Sequence, residues 1–262
     1  MTPFFREAGA GPGVVCLHAN SSSSGQWRGL IETLAPRFHV LAADSYGAGK
    51  SPPWPAGRVG SLRDEIELLE PVFARAGDPF VLIGHSYGGA IALIAAITQP
   101  HRVRALVLYE PVLFSVIEAD SPPPNAADGI KHATLAALAE IDAGNIRRGA
   151  EHFIDYWMGP GTFARLPESF QAPILHTMIN LRKWSEALAN EPTPLAAFRD
   201  LKIPVLYMTS SKSPASSLGV ARLLTPVLPN VETLEFEGLG HMGPILAPGT
   251  VNQAITRFLD RL

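Results

Sequence analysis

Six short strand-like segments, most of them apolar at consecutive positions, alternate along this chain with segments of helical periodicity. The strand-like runs are Val14–Leu17, Val40–Ala43, Phe80–Ile83, Val103–Tyr109, Val205–Met208 and Val231–Phe236. A strand that is apolar at every position must be covered on both faces. That requirement argues for an α/β fold with a mostly parallel, doubly wound sheet. Helical periodicity is read between these runs. Trp27–Leu34 is one such segment, and another starts at Ser61 and repeats at Leu62, Ile66, Leu69, Val72 and Phe73. The remaining helices of this rhythm are Ala90–Ile97, a segment near Ser216–Leu224, and Val251–Leu259. Ser61 followed by Asp64 has the pattern of a helix start.

The alternation stops between Pro111 and Phe198. Ile130–Ile141, Ala150–Trp157 and Ile174–Leu188 look helical there, punctuated by Pro122-Pro123-Pro124, Gly159-Pro160-Gly161 and the pair Pro192 and Pro194. One sheet carrying a helical insertion explains this more simply than two domains in series. The core is then 1–110 with 199–262, and the insertion is 111–198.

Composition narrows the function. Of 262 residues, 47% are hydrophobic and 17% charged, which supplies a large core and excludes wholesale disorder. Net charge is −3 with no Lys/Arg block, so nucleic acid is not expected as a partner. The single cysteine, Cys16, lies in an apolar run, which excludes an intramolecular disulfide and any cysteine-cluster metal site. The first residues lack the basic and apolar regions of a signal peptide, and no stretch is long enough to span a membrane. The expectation is a cytoplasmic monomer or homodimer acting without a metal or cofactor.

Phe80–Ile83 runs into Gly84-His85-Ser86-Tyr87-Gly88-Gly89 and then into a small-residue helix. This is the G-x-S-x-G turn that exposes a serine hydroxyl between strand and helix. Glycines two before and two after the serine leave room for the turn, and the helix N-terminus favours developing negative charge. A serine hydroxyl needs a neighbouring base. Of eight histidines, His241 is the best candidate. It stands in the flexible loop Gly238–Pro244 before the last helix, on the sheet edge where the serine turn also opens. Backbone N–H groups for an oxyanion are expected from Tyr87 and from Asn20, in the loop His18–Ser24 after the first apolar strand.

These segments, with Asp44-Ser45-Tyr46-Gly47-Ala48-Gly49-Lys50-Ser51, resemble the α/β-hydrolase superfamily over nearly the whole chain. The family usually has glycine where Ala19 stands. The resemblance implies that the Asp44 loop is a structural turn and that 111–198 is a helical cap over an apolar pocket. Phe114, Trp157, Met158, Trp184 and Met242 are candidate lining, with packing inside the cap as the alternative for the first four.

The family most often carries an acid in the loop after the strand equivalent to Val205–Met208. Here that loop, 209–217, has none. The superfamily's second location is the end of the preceding core strand, where this chain has Glu110. The competing role for Glu110 is a simple strand-end carboxylate. The leading expectation is a serine hydrolase for a small apolar ester or lactone, with Ser86 as nucleophile, His241 as base and Glu110 as acid. A C–C bond hydrolase or cofactor-free perhydrolase would use the same three residues. A non-catalytic ligand-binding member of the fold is the third reading.

Overall fold

The computed structural model describes residues 1–262 as one seven-stranded sheet of order β1-β3-β2-β4-β5-β6-β7. In chain order the elements open with β1 (Phe5–Ala8), β2 (Gly13–Leu17), α1 (Arg28–Leu34), β3 (His39–Ala43) and α2 (Leu62–Ala76). Then follow β4 (Phe80–His85), α3 (Tyr87–Thr98) and β5 (Val103–Tyr109). Six helices come next: α4 (Ser115–Asp120), α5 (Asp128–Asp142), α6 (Ile146–Met158), α7 (Thr162–Arg165), α8 (Glu168–Thr177) and α9 (Leu181–Ala189). The chain closes with β6 (Val205–Ser210), α10 (Ala215–Leu224), β7 (Val231–Phe236), α11 (Gly243–Leu246) and α12 (Pro248–Leu259). No helix is long and apolar enough to cross a membrane.

Every strand pair is parallel except β1 with β3. Alternate residues of the central strands enter two different cores, as the two-residue period of a strand demands. Val15, Leu17, Leu82, Leu106 and Leu108 pack with α2, α3 and α10 on one face. Val14, Cys16, Val81, Ile83, Val107 and Met208 pack with α1 and α12 on the other. The strand β1 has no counterpart in the sequence reading. Phe5-Arg6-Glu7-Ala8 is too short and too polar to announce itself, and it holds only as an antiparallel edge on β3.

Ser61 caps α2 through a reciprocal bond pair with Asp64. The expected continuous helix over Ile174–Leu188 is broken into α8 and α9 by a 3-10 turn at Met178–Asn180. The Asn180 side chain is the reason: its amide donates to Gly47 O at 3.0 Å and to Thr177 O at 3.1 Å, tying the turn to the loop after β3. That loop is organised by buried Asp44, which accepts from Ser24 N at 2.5 Å and from Lys50 N at 2.9 Å.

Because β2, β4, β5 and β6 run the same way, Leu17, His85, Tyr109 and Ser210 end on one edge of the sheet. Close packing there requires two glycines. A Cβ on Gly84 would lie 2.4 Å from Gly88 O, and one on Gly88 would lie 2.4 Å from Leu17 O. Both obstacles are backbone, which cannot swing aside. Gly88→Ala is therefore expected to lower the thermal midpoint by about 5 °C or more, as overpacking of a closed site does. A melt within a degree of the parent would show that the β2–α3 contact is looser than described.

Candidate active site

Ser86 stands between β4 and α3 with φ 55° and ψ −115°, a region L-residues rarely occupy. Glu110, the residue after β5, has φ 43°, and Ser21, beside Asn20, has φ 57°. These are the only non-glycine residues of the chain with positive φ. All three lie on the carboxyl edge of the sheet, and strain gathered in this way marks a place where side-chain direction matters more than backbone comfort. The turn is held by Ser86 N donating to Tyr109 O at 2.9 Å and by Gly88 N donating to His18 O at 3.1 Å.

His241 joins the two strained residues. Its Nε2 lies 2.8 Å from Ser86 Oγ, and its Nδ1 lies 2.7 Å from Glu110 Oε2. All three side chains are buried; Glu110 is 0% exposed. A carboxylate accepts at Nδ1–H, which leaves the Nε2 lone pair facing the serine hydroxyl. The second carboxylate oxygen accepts from Ser213 Oγ at 2.6 Å. Ser213 belongs to the loop after β6, which has no acid of its own; the sequence marks it as a place where an acid could stand but not as a partner of Glu110. Its position in that loop was the available signal.

The loop carrying His241 is fixed from behind. His85 Nε2–H donates to His241 O at 2.8 Å, and its Nδ1 accepts from the Gln26 amide at 3.1 Å. Burial pushes the His85 ring well below the usual imidazole range, so it stays neutral and keeps this tautomer. Gln26 Oε1 in turn accepts from Ala19 N at 3.2 Å. Ala19 stays outside the left-handed region, so this loop does not need the family's usual glycine. The Tyr109 hydroxyl donates to Gly240 O at 2.9 Å and meets Ser210 Oγ, while burial raises it far above the usual phenol range. Neither Asn20 N nor Tyr87 N has an acceptor within the chain.

A cavity of about 600 Å³ opens over Ser86 and His241. Fourteen of its twenty-two lining residues are hydrophobic, so it suits an apolar group. Phe114, Trp157, Met158 and Met242 line it, together with Ala19, Asn20 and residues of α4, α5, α6 and α9. Trp184 does not line it, which corrects the sequence expectation. Leu181, Ser185, Leu188 and Ala189 form the face of α9 that meets the cavity, and Trp184 lies just beyond the margin of that face, on the side away from Ser185 and Ala189. It is buried in the core instead, with its ring 6.3 Å from that of Tyr87. Lys131 is the one cation in the lining and is paired with Glu118 at 2.6 Å. Two buried polar atoms of lining residues, Asn20 Oδ1 and Ser115 Oγ, have no partner. No cluster of three His, Cys, Asp or Glu side chains is placed to hold a metal ion.

This architecture matches a known family over most of its length. The profile of the alpha/beta hydrolase fold matches residues 12–248. The chain belongs to the alpha/beta hydrolase family. It is 28% identical over 248 residues to a pimeloyl-[acyl-carrier protein] methyl ester esterase of Nitrosomonas europaea, covering 89% of this chain and 90% of that one. It is 26% identical to a 2-(acetamidomethylene)succinate hydrolase of Mesorhizobium japonicum, covering 97% and 90%. A hydrolase structure from Oleispira antarctica shares the fold, with TM-score 0.78, 19% identity, and 99% and 95% coverage.

One buried carboxyl group of this alpha/beta hydrolase lies just behind the serine turn. Glu65 accepts from Tyr87 OH and from Tyr46 N, each at 3.1 Å, and faces no cation. Burial raises its pKa to about 8, whereas in the unfolded chain it titrates as an ordinary carboxylate. Between those two values the native state holds a proton that the unfolded state has lost. The Glu65 contribution to stability therefore falls as pH rises from about 5 to about 8. Glu65→Gln is expected to flatten that slope in denaturant titrations at several pH values. An unchanged slope would mean that Glu65 is already ionised in the folded protein.

Proposed function

We propose that this chain is a serine hydrolase that cleaves an uncharged ester or lactone with an apolar acyl group through an acyl-enzyme on Ser86. The observation that carries this reading is the unbroken line Ser86–His241–Glu110, with hydrogen bonds of 2.8 and 2.7 Å, opening on an apolar cavity. His241 Nε2 takes the Ser86 proton as Oγ attacks the carbonyl carbon, and Glu110 orients the ring and stabilises the imidazolium. The tetrahedral oxygen is held by the free N–H groups of Asn20 and Tyr87. His241 then gives its proton to the departing alcohol oxygen. Water, deprotonated by the same ring, attacks the acyl-enzyme and releases the acid.

The inserted helices act as the cap, since α4, α5, α6 and α9 wall the cavity that the sheet edge floors. The choice of acyl group rests on charge. Lys131 is committed to Glu118, so a second carboxylate on the substrate would meet no free cation. That favours an ester with an apolar acyl chain over an amidomethylene succinate of the kind named for one relative. A C–C hydrolase would use the same residues, and substrate comparison separates the two.

The decisive experiment uses p-nitrophenyl esters of increasing chain length together with a fluorophosphonate probe. Labelling at Ser86, turnover favouring medium-length acyl groups over acyl groups ending in a carboxylate, and a loss of about 10⁴-fold in kcat for Ser86→Ala are expected. Activity of Ser86→Ala within tenfold of the parent would sink the proposal. Glu110→Gln should lower kcat by about 10³–10⁴-fold with the fold intact, as the loss of a triad acid does elsewhere. Adding Ser213→Asp to that variant should restore part of the activity, because residue 213 already reaches the Glu110 carboxylate. A Glu110→Gln enzyme as fast as the parent would remove Glu110 from the mechanism.

A further inference from the structure

The indole of Trp157 lies flat on the imidazole of His241, with ring centroids 4.0 Å apart and planes 24° apart. This contact joins the insertion to the sheet edge, since Trp157 lies in the last turn of α6 and His241 sits in the loop after β7. Both ring nitrogens of His241 are already engaged in the ring plane, by Glu110 and Ser86, so the indole covers a face of the ring. The indole is itself wedged in place. Phe114 stacks beside it at 6.5 Å, and Phe153 and Tyr156 meet it edge-on at 6.3 and 5.0 Å. The Tyr156 hydroxyl donates to Ser216 Oγ at 2.8 Å, which pins the end of α6 to α10.

We propose that Trp157 is a positioning residue that acts through His241, its indole face stabilising the imidazolium formed when the base takes the Ser86 proton. A neutral imidazole gains little from the negative face of an indole, whereas a cation gains much more, most of all where water is excluded. The interaction therefore strengthens as the proton moves, which is what accelerates a reaction rather than merely binding the substrate. The inference rests on the reading of His241 as the base. The other titratable groups packed around this ring are Glu110, hydrogen-bonded to it, and His85, 5.3 Å away between ring centroids and held neutral by burial. Tyr109, whose hydroxyl donates to Gly240 O, stays protonated. Across the cavity stand Glu118 and Lys131, which neutralise each other. Lys212 meets the His241 loop by its backbone and keeps its side chain exposed. None of these would change on replacing the indole.

The test compares Trp157→Leu, which keeps an apolar cover without a π face, with Trp157→Phe, which keeps a weaker one. Two readouts are taken on the full chain: the pH profile of p-nitrophenyl ester hydrolysis, and the protonation of His241 followed by NMR of ¹⁵N-histidine-labelled protein. Trp157→Leu is expected to lower kcat by about tenfold and to move both the acid limb and the NMR midpoint down by about half to one pH unit. KM for a short ester should change little, and Trp157→Phe should fall between Leu and the parent. A Trp157→Leu protein whose KM rises for long esters while kcat and the His241 midpoint stay put would overturn the proposal and leave Trp157 as cavity wall. The NMR midpoint needs no substrate. A downward shift in a protein that turns over none of the esters would therefore support the stacking role while the substrate reading failed. If Leu unfolds the protein, the Phe variant carries the same comparison, and an unchanged midpoint there overturns the idea.

Discussion

A carboxylate with no exposure to water has to be given partners, and at Glu110 that demand organises the site. Burying an ion in a protein interior costs several kcal/mol unless hydrogen bonds replace its water. Here the replacements are His241 Nδ1–H and Ser213 Oγ–H, one from the loop after β7 and one from the loop after β6. Meeting them requires the chain to leave β5 in a left-handed conformation, and the fold accepts that strain. The same strand end donates from Glu110 N to Met208 O at 3.0 Å and accepts at Tyr109 O from Ser86 N. The turn that carries Ser86 and the strand end that carries Glu110 are thus fixed to one another through the sheet before His241 is added.

Around this centre the polar groups are chained so that few are left over. Ala19 N, Gln26, His85 and the carbonyl of His241 form one hydrogen-bonded series that runs from the loop after β2 to the loop after β7. A buried network that is fully paired rigidifies its members. The backbone N–H groups of Asn20 and Tyr87 are left without acceptors in the chain. Preorganised donors of this kind need no rearrangement when charge develops.

The run of helices between β5 and β6 contributes most of the apolar wall of the cavity. It is joined to the core by two polar contacts and one aromatic contact. Asn180 reaches Gly47 O, Tyr156 reaches Ser216, and Trp157 covers His241. Substrate selection and the environment of His241 are consequently built from the same helices. A change in α6 that reshapes the cavity will also touch the His241 ring.

Local sequence was enough for the sheet, the order of its strands along the chain and the serine turn. Each of these rests on short-range pattern: consecutive apolar residues, glycines at fixed offsets, a capping serine before α2. The edge strand β1 escaped because four half-polar residues carry no pattern until β3 lies beside them. The α8–α9 break escaped because its cause, the Asn180–Gly47 bond, spans 133 residues. At the site, Ser86 was legible from its glycine-flanked turn, His241 from its loop before the last helix, and Glu110 from the resemblance to the family together with its place after β5. That His241 lies within 2.8 Å of both other side chains, with Ser213 behind and Trp157 on top, is a matter of tertiary geometry. Trp184 shows the limit of composition: an aromatic in an amphipathic helix declares that it is buried, but one residue of helical rotation decides whether it meets a substrate or the core. That angle is set by how α9 packs, which no local pattern records.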